Sequence, residues 1–378
     1  MKPIKKFTEI PLIKDPWYNY QLIRVMETIY TRQADVGECL QTALEIIPGD
    51  DLSWYQAWFK TADRVFNIGQ TSEKGGHKIS AGEAYLRASN YYRTAQFFMH
   101  ADPNDPRALG AARSSVQSFV QAMKLLSVPV ESVKIPYERT TLPGYFYTSP
   151  RAPKPGPLLI VWDGFDGTAE EIYYVGDAAI RRGYHCLIIE GPGQGKVIRG
   201  QNLTFRPEAE KVLIPVVDYV LTRPEVDRLR IALEGISFGG YFCSRAAAFE
   251  HRIKLLILNA AIYDFYELFM GRFPSNISEL YKTDKNAFNA AIINLGQKIT
   301  SFRWFFNDAY WKFGLKTPTE VIDKTVEFNN RGYVGKIKAR TLLMEGEADA
   351  LGQTKKMYQD MTCTKEIQRM FDWIDQHI

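Results

Sequence analysis

Histidine and cysteine are scarce, with five and four in 378 residues. The cysteines Cys39, Cys186, Cys243 and Cys363 show no CxxC spacing, and Cys186 and Cys243 lie in apolar patterns, so they read as reduced core residues. No metal and no cofactor is expected. The formal charge of +4 is small for this length. No stretch concentrates Lys and Arg among aromatics as a nucleic-acid groove would, which argues against nucleic acid as a partner. No apolar run approaches the roughly 18 residues needed to cross a bilayer, and the N-terminal Met1-Lys-Pro-Ile-Lys-Lys-Phe7 lacks the apolar stretch of a signal peptide. A cytoplasmic protein without membrane contact is the resulting expectation. The helical pairs of the N-terminal third show no fixed period, so a repeat-built interaction module is the weakest reading. The expected partner is a small-molecule substrate, with a homodimer left open.

What is present is an ordinary globular balance, 46% hydrophobic and 24% charged. Trp17 to Tyr30, Val36 to Ile47, Asp51 to Ile68, Ala81 to His100 and Pro106 to Leu125 place apolar residues three and four apart. A helical lid domain over 1–127 follows, and the aromatics between Tyr85 and Phe98 read as helix-on-helix packing. From Val128 the pattern turns to strand. Val130 to Pro136 and Leu142 to Tyr147 flank a short polar turn and read as an antiparallel hairpin. Continuous apolar runs at Leu158–Trp162, Cys186–Ile189, Ile231–Leu233, Leu255–Leu258 and Thr341–Met344 read as buried parallel strands. Helical patterns separate them. The class is therefore α/β, a doubly wound, mostly parallel sheet over 128–378, with a helical cap insertion at about 264–334.

Ligands of such a sheet bind beyond the carboxyl ends of its strands. Gly235-Ile236-Ser237-Phe238-Gly239 follows an apolar run and opens a helix-like stretch, the context of a nucleophile elbow. Ser237 becomes the candidate nucleophile and the Phe238 N–H an oxyanion donor. Asp163-Gly-Phe-Asp-Gly167 is a glycine-bounded turn after Trp162 that presents a second donor near Phe165. Glu190-Gly-Pro-Gly-Gln-Gly195 imitates a dinucleotide fingerprint, but Lys196 stands where the last glycine belongs and Pro192 removes an N–H. It reads as a structural turn.

Asp349, a few residues beyond the strand ending at Met344, is the candidate triad acid, with a helix N-cap as its plainer role and Glu347 as a weaker competitor. Only His377 follows it among His77, His100, His185, His251 and His377. A strand over Lys365 to Phe371 makes His377 the base. The spacing of Ile367, Met370, Phe371 and Ile374 also suits a terminal helix, which would leave His377 a tail residue. Asp264 and Glu267 are conceivable substitute bases, although Asp264 is equally placed to cap a helix.

Together the elbow, both glycine turns and Gly346-Glu-Ala-Asp349 resemble the α/β-hydrolase superfamily. The helical lid, Gly235-Ile-Ser-Phe-Gly-Gly-Tyr241 and Arg245-Ala-Ala-Ala-Phe-Glu-His-Arg252 resemble the branch holding 2,6-dihydroxypseudooxynicotine hydrolase and the esterase-like fermentation-respiration switch proteins. The resemblance implies a serine hydrolase acting on an ester, amide or activated C–C bond next to a carbonyl. In that branch a closing helix follows the histidine loop, whereas this sequence stops one residue after His377. That departure motivates the alternative expectation, a non-hydrolytic protein that binds or polarises a carbonyl on the same scaffold.

Overall fold

The computed structural model describes residues 11–346, 352–361 and 365–366. Two compact units divide the chain. One comprises Met1–Val128 and Asn289–Trp311, the other Pro129–Phe288 and Lys312–Ile378.

The first unit is helical. Its N-terminal helices are α1 (Pro16–Met26), α2 (Val36–Ala43), α3 (Asp51–Lys74), α4 (Lys78–Ala95) and α5 (Pro106–Leu125). Asp15, Asp35, Asp50 and Asp105 cap four of them by accepting first-turn N–H groups, and Pro16 and Pro106 supply a preset φ where an N–H is not needed. Helix α4 packs between α3 and α5. It is therefore buried along almost its whole circumference, and Tyr85, Tyr91, Tyr92, Phe97 and Phe98 all lie in the core. Trp54 donates its indole N–H to Thr94 O at 2.8 Å, and Trp304 stacks on Phe97 with ring centroids 5.3 Å apart. Aromatic packing of this kind combines large buried area with favourable ring geometry.

The second unit is built on one eight-stranded sheet of order β1-β2-β4-β3-β5-β6-β7-β8. Its strands are β1 (Val130–Tyr137), β2 (Thr140–Tyr147), β3 (Gly156–Trp162), β4 (His185–Ile189), β5 (Val226–Ile236), β6 (Leu255–Asn259), β7 (Arg340–Met344) and β8 (Lys365–Glu366). The β1–β2 hairpin turns through Glu138, whose φ is 47°, and β2 runs antiparallel to β4. All later pairings are parallel. Every residue of β3 and β4 is buried, as an apolar strand covered on both faces requires. The intervening helices include α6 (Tyr173–Arg181), α7 (Gly195–Gln201), α8 (Glu210–Val220) and α9 (Gly239–Ala247).

After β6 come α10 (Phe265–Met270), α11 (Ser275–Thr283), α12 (Lys285–Lys298), α13 (Thr300–Phe313) and α14 (Pro318–Thr325), the last opened by a Thr317–Glu320 capping box. Between β7 and β8 lies α15 (Thr354–Asp360). Most of α12 and α13 belongs to the helical unit. No described helix is long and apolar enough to cross a membrane.

Register sets the site. Trp162 lies opposite Gly235, Ile236 opposite Asn259, and Asn259 opposite Met344. The loops leaving β3, β5, β6 and β7 thus start side by side at one edge of the sheet.

Candidate active site

The turn from β5 into α9 is held in a shape that few sequences tolerate. Ser237 adopts a φ of +56°, in the left-handed region that an L-residue with a Cβ normally avoids at a cost of roughly 1–2 kcal/mol. Its N–H donates to Asn259 O at 2.5 Å, and its carbonyl accepts from Gly240 N at 2.8 Å. A Cβ at Gly235 would collide with the Gly239 carbonyl, and one at Gly239 with the Trp162 carbonyl. The small residues two positions either side of the serine are therefore demanded by backbone packed on backbone. Gly239→Ala is expected to destabilise the protein by about 1–3 kcal/mol, because no flexible side chain can give way. A urea midpoint unchanged by that substitution would contradict this packing.

The turn after β3 lies directly against the elbow. A Cβ built on Gly164 would stand 2.8 Å from Ser237 Cβ and 2.9 Å from Phe238 N. Gly164 N–H donates to Asp163 Oδ1 at 2.7 Å, so that donor is used inside the turn. The Phe165 and Phe238 rings, both buried, lie 6.1 Å apart. Phe238 N–H precedes α9, and the described residues supply it with no acceptor.

Asp349 and His377, and the competitor Glu347, lie outside the described residues. Their flanks are described. Gln353 N–H donates to Ala261 O at 3.0 Å, and Gln353 Oε1 accepts from Tyr263 N and Asp264 N at 2.9 and 2.7 Å. Gln353, which leads into α15, is thereby tied to the loop leaving β6. Thr341 and Leu342 of β7 pair in parallel with Lys365 and Glu366.

The remaining candidates have other partners. Asp264 caps α10 by accepting Glu267 N–H at 2.9 Å and pairs with Arg331 Nε at 2.9 Å, while Glu267 pairs with Arg331 and Lys356. The latter pairs hold the Glu267 carboxyl below its usual range, the Lys356 hydrogen bond being the largest influence. Asp264 thus serves as a helix cap and ion-pair partner, and Glu267 as an ion-pair partner. His185 begins β4 and accepts Ser149 N–H on Nδ1 at 3.1 Å, with burial lowering its pKa. His100 is buried between Asp308 and Gln96 in the helical unit, at 2.6 Å from each. His251 lies beyond the far end of α9, 3.2 Å from Ala248 O. Among the described residues no group of His, Cys, Asp and Glu could hold a metal ion. Cys39, Cys186 and Cys243 are buried and free, and Cys363 lies outside the described residues.

Three residues that sequence reasoning passed over surround this edge. Gln194, from the Glu190–Gly195 turn, donates to Asp163 O and Gly164 O at 2.6 and 2.7 Å. Lys312, the only charged side chain in the aromatic second half of α13 apart from Asp308, donates to Phe165 O at 2.7 Å. Glu234 lies on β5 three residues before Ser237, and burial, with nearby Asp163 second, pushes its pKa up to about 8. Only Gln194 carried a signal, its place inside a glycine-rich motif.

Residues 38–271 match the family model described as esterase FrsA-like. The chain is similar to the hydrolase acrC of Aspergillus aculeatus, 35% identical over 363 residues that cover 90% of this chain and 84% of that one. It is 36% identical over 347 residues to the 20-hydroxy-prefusarin hydrolase FUS2 of Gibberella moniliformis, covering 88% and 82% respectively. The solved structure of 2,6-dihydroxy-pseudo-oxynicotine hydrolase superposes with a TM-score of 0.72 at 18% identity, covering 94% of this chain and 95% of the other, which speaks to the fold.

Proposed function

Since the chain belongs to the FrsA-like esterase family of α/β hydrolases, and is a hydrolase, we propose that Ser237 is its nucleophile, Asp349 its triad acid and His377 its general base. Phe238 N–H and Phe165 N–H are the oxyanion donors. The observation that carries this reading is the left-handed Ser237 on a strand-to-helix turn, with the Asp163–Gly167 turn against it.

In the first step the Ser237 hydroxyl attacks the substrate carbonyl, its proton passes to His377, and the carbonyl electrons move onto oxygen. The two N–H groups stabilise that oxyanion by hydrogen bonds. Collapse of the intermediate expels the leaving group, which takes the proton from the imidazolium, and leaves an acyl-serine. Water, activated by His377, then releases the acid and restores the serine. The bond cleaved is an ester, amide or activated C–C bond next to a carbonyl of a small organic substrate. Support for that size class comes from the relative named for 20-hydroxy-prefusarin and the fold neighbour named for 2,6-dihydroxy-pseudo-oxynicotine.

Pre-steady-state kinetics with p-nitrophenyl esters test the covalent route. A burst of nitrophenol close to one equivalent per enzyme, absent in Ser237→Ala, is the expected result. Turnover that is equal in both proteins and shows no burst would overturn the reading and favour water attack without an acyl-enzyme.

A further inference from the structure

Three consecutive carbonyls of the turn after β3 are gripped by two buried side chains. The Gln194 amide nitrogen donates to Asp163 O and Gly164 O, and the Lys312 ammonium donates to Phe165 O. Gln194 is 2% exposed and Lys312 4%. The other end of the Gln194 amide accepts from Trp162 Nε1 at 2.7 Å and from Gly191 N at 2.8 Å. Two carbonyl acceptors on one side and two N–H donors on the other exhaust the hydrogen-bonding capacity of the amide and fix which way it faces. Its position is further set by its own loop, since Gly191 N–H and Trp162 belong to the two strand exits that the amide bridges. Lys312, at the end of α13, sits 4.9 Å from the Phe165 ring centroid, and its backbone carbonyl accepts Phe205 N–H at 2.9 Å. A cation so deeply buried is costly unless hydrogen-bonded, and a neutral side chain would satisfy the packing more cheaply.

We infer that Gln194 and Lys312 are positioning residues for the oxyanion donor of the turn. The inference rests on the reading above, in which Phe165 N–H is that donor. A trans peptide holds its C=O and N–H in one plane, pointing in opposite directions. Fixing Gly164 O therefore fixes the direction of Phe165 N–H, and fixing Phe165 O does the same for Asp166 N–H. Gly164 N–H is already committed to Asp163 Oδ1. The two side chains thus act on the peptide units around the donor, from the side of the turn that carries the carbonyls. The glycine-rich motif after β4 gains a role in catalysis through this contact, without touching substrate.

The effect belongs to the transition state. A preorganised donor matters where the oxyanion forms, and loss of one such donor costs on the order of 10²–10³ in kcat. Gln194→Glu keeps the shape and the acceptor oxygen but loses both donors. Lys312→Met keeps most of the side-chain length and loses the donor, and Lys312→Arg restores one. The experiment measures kcat, KM and inhibition by phenylboronic acid, whose tetrahedral adduct mimics the oxyanion, for the full-length wild type, Ser237→Ala and these three variants, with thermal melts alongside.

The expected result is a fall in kcat of roughly 30-fold or more for Gln194→Glu and Lys312→Met with KM within about threefold. Boronate affinity falls in parallel, and Lys312→Arg recovers part of both. A merely structural role would lower the melting temperature while leaving kcat of the folded fraction and boronate affinity unchanged, and that outcome overturns the inference. So would wild-type kcat and boronate affinity in both variants. Failure of the underlying reading shows elsewhere, as wild-type turnover that Ser237→Ala does not reduce, and it removes the inference together with its premise.

Discussion

Ser237→Ala is expected to lower kcat by on the order of a million-fold, the loss seen when the nucleophile of a serine hydrolase is removed. Binding and the oxyanion donors remain in that variant, so KM should change little and a residue of roughly a thousand-fold over water should persist. Stability should move differently. The left-handed φ of +56° at Ser237 is as strained for alanine as for serine, so the alanine variant should melt close to the wild type. Ser237→Gly removes the Cβ that the left-handed region penalises and should gain about 1 kcal/mol over alanine. Paired urea and steady-state measurements on the two variants separate the strain from the chemistry. Equal stability of the glycine and alanine forms would mean that the elbow stores no strain. A kcat reduced less than a hundredfold in both would mean that another group attacks the substrate.

Glu234→Gln is expected to stabilise the protein strongly in alkali and hardly at all in acid. Glu234 is 2% exposed, and its Oε2 has no hydrogen-bond partner among the described residues. Burial, then the neighbouring Asp163, raises its pKa from 4.5 to about 8. The folded chain therefore keeps the proton over a range where the unfolded chain releases it. Stability is full below about pH 4.5 and declines as pH rises towards 8, by about 1.4 kcal/mol for each unit. A glutamine has the shape of the protonated acid and no proton to lose. The stability difference between variant and wild type should thus be small at pH 5 and reach on the order of 4 kcal/mol by pH 8.5. Denaturant titrations at a series of pH values provide the check. A difference independent of pH would show that Glu234 is ionised in the folded protein at neutral pH.

The elbow and the alternation of strands and helices were legible because both are local. Glycine spacing around Ser237 and uninterrupted apolar runs at β3, β4, β6 and β7 carry their geometry in a few neighbouring residues. Element ends were less legible. Strand β5 begins at Val226, well before the apolar run from Ile231, because Asp227, Arg228 and Arg230 place polar side chains on its exposed first half. Helix α3 continues from Ile68 to Lys74 through polar residues that periodicity does not reward, and the expected helix from Trp17 to Tyr30 stops at Met26 before a 3₁₀ turn at Ile29–Thr31. The insertion after β6 read correctly as helical, yet nothing in its spacing reveals that residues 289–311 join the helical unit. Periodicity reports which face is apolar and not what covers it.

Contacts made across the fold were the least legible. Gln194 read as part of a turn and Lys312 gave no signal, since their partners are backbone carbonyls 30 and 147 positions away. Glu234 gave no signal at the end of its apolar run, since its burial and the lack of a cation beside it among the described residues are tertiary properties. Asp349 and His377 rest on chain order, and both lie outside the described residues.

The central claim is that the strained serine of the β5–α9 turn is an activated nucleophile, and covalent labelling tests it most directly. The native protein treated with a fluorophosphonate, digested and read by mass spectrometry should carry one phosphonyl group, on the peptide containing Ser237. The adduct should vanish in Ser237→Ala and in the urea-unfolded wild type. Ester turnover accompanied by no adduct, or by an adduct on a different residue, would contradict the assignment.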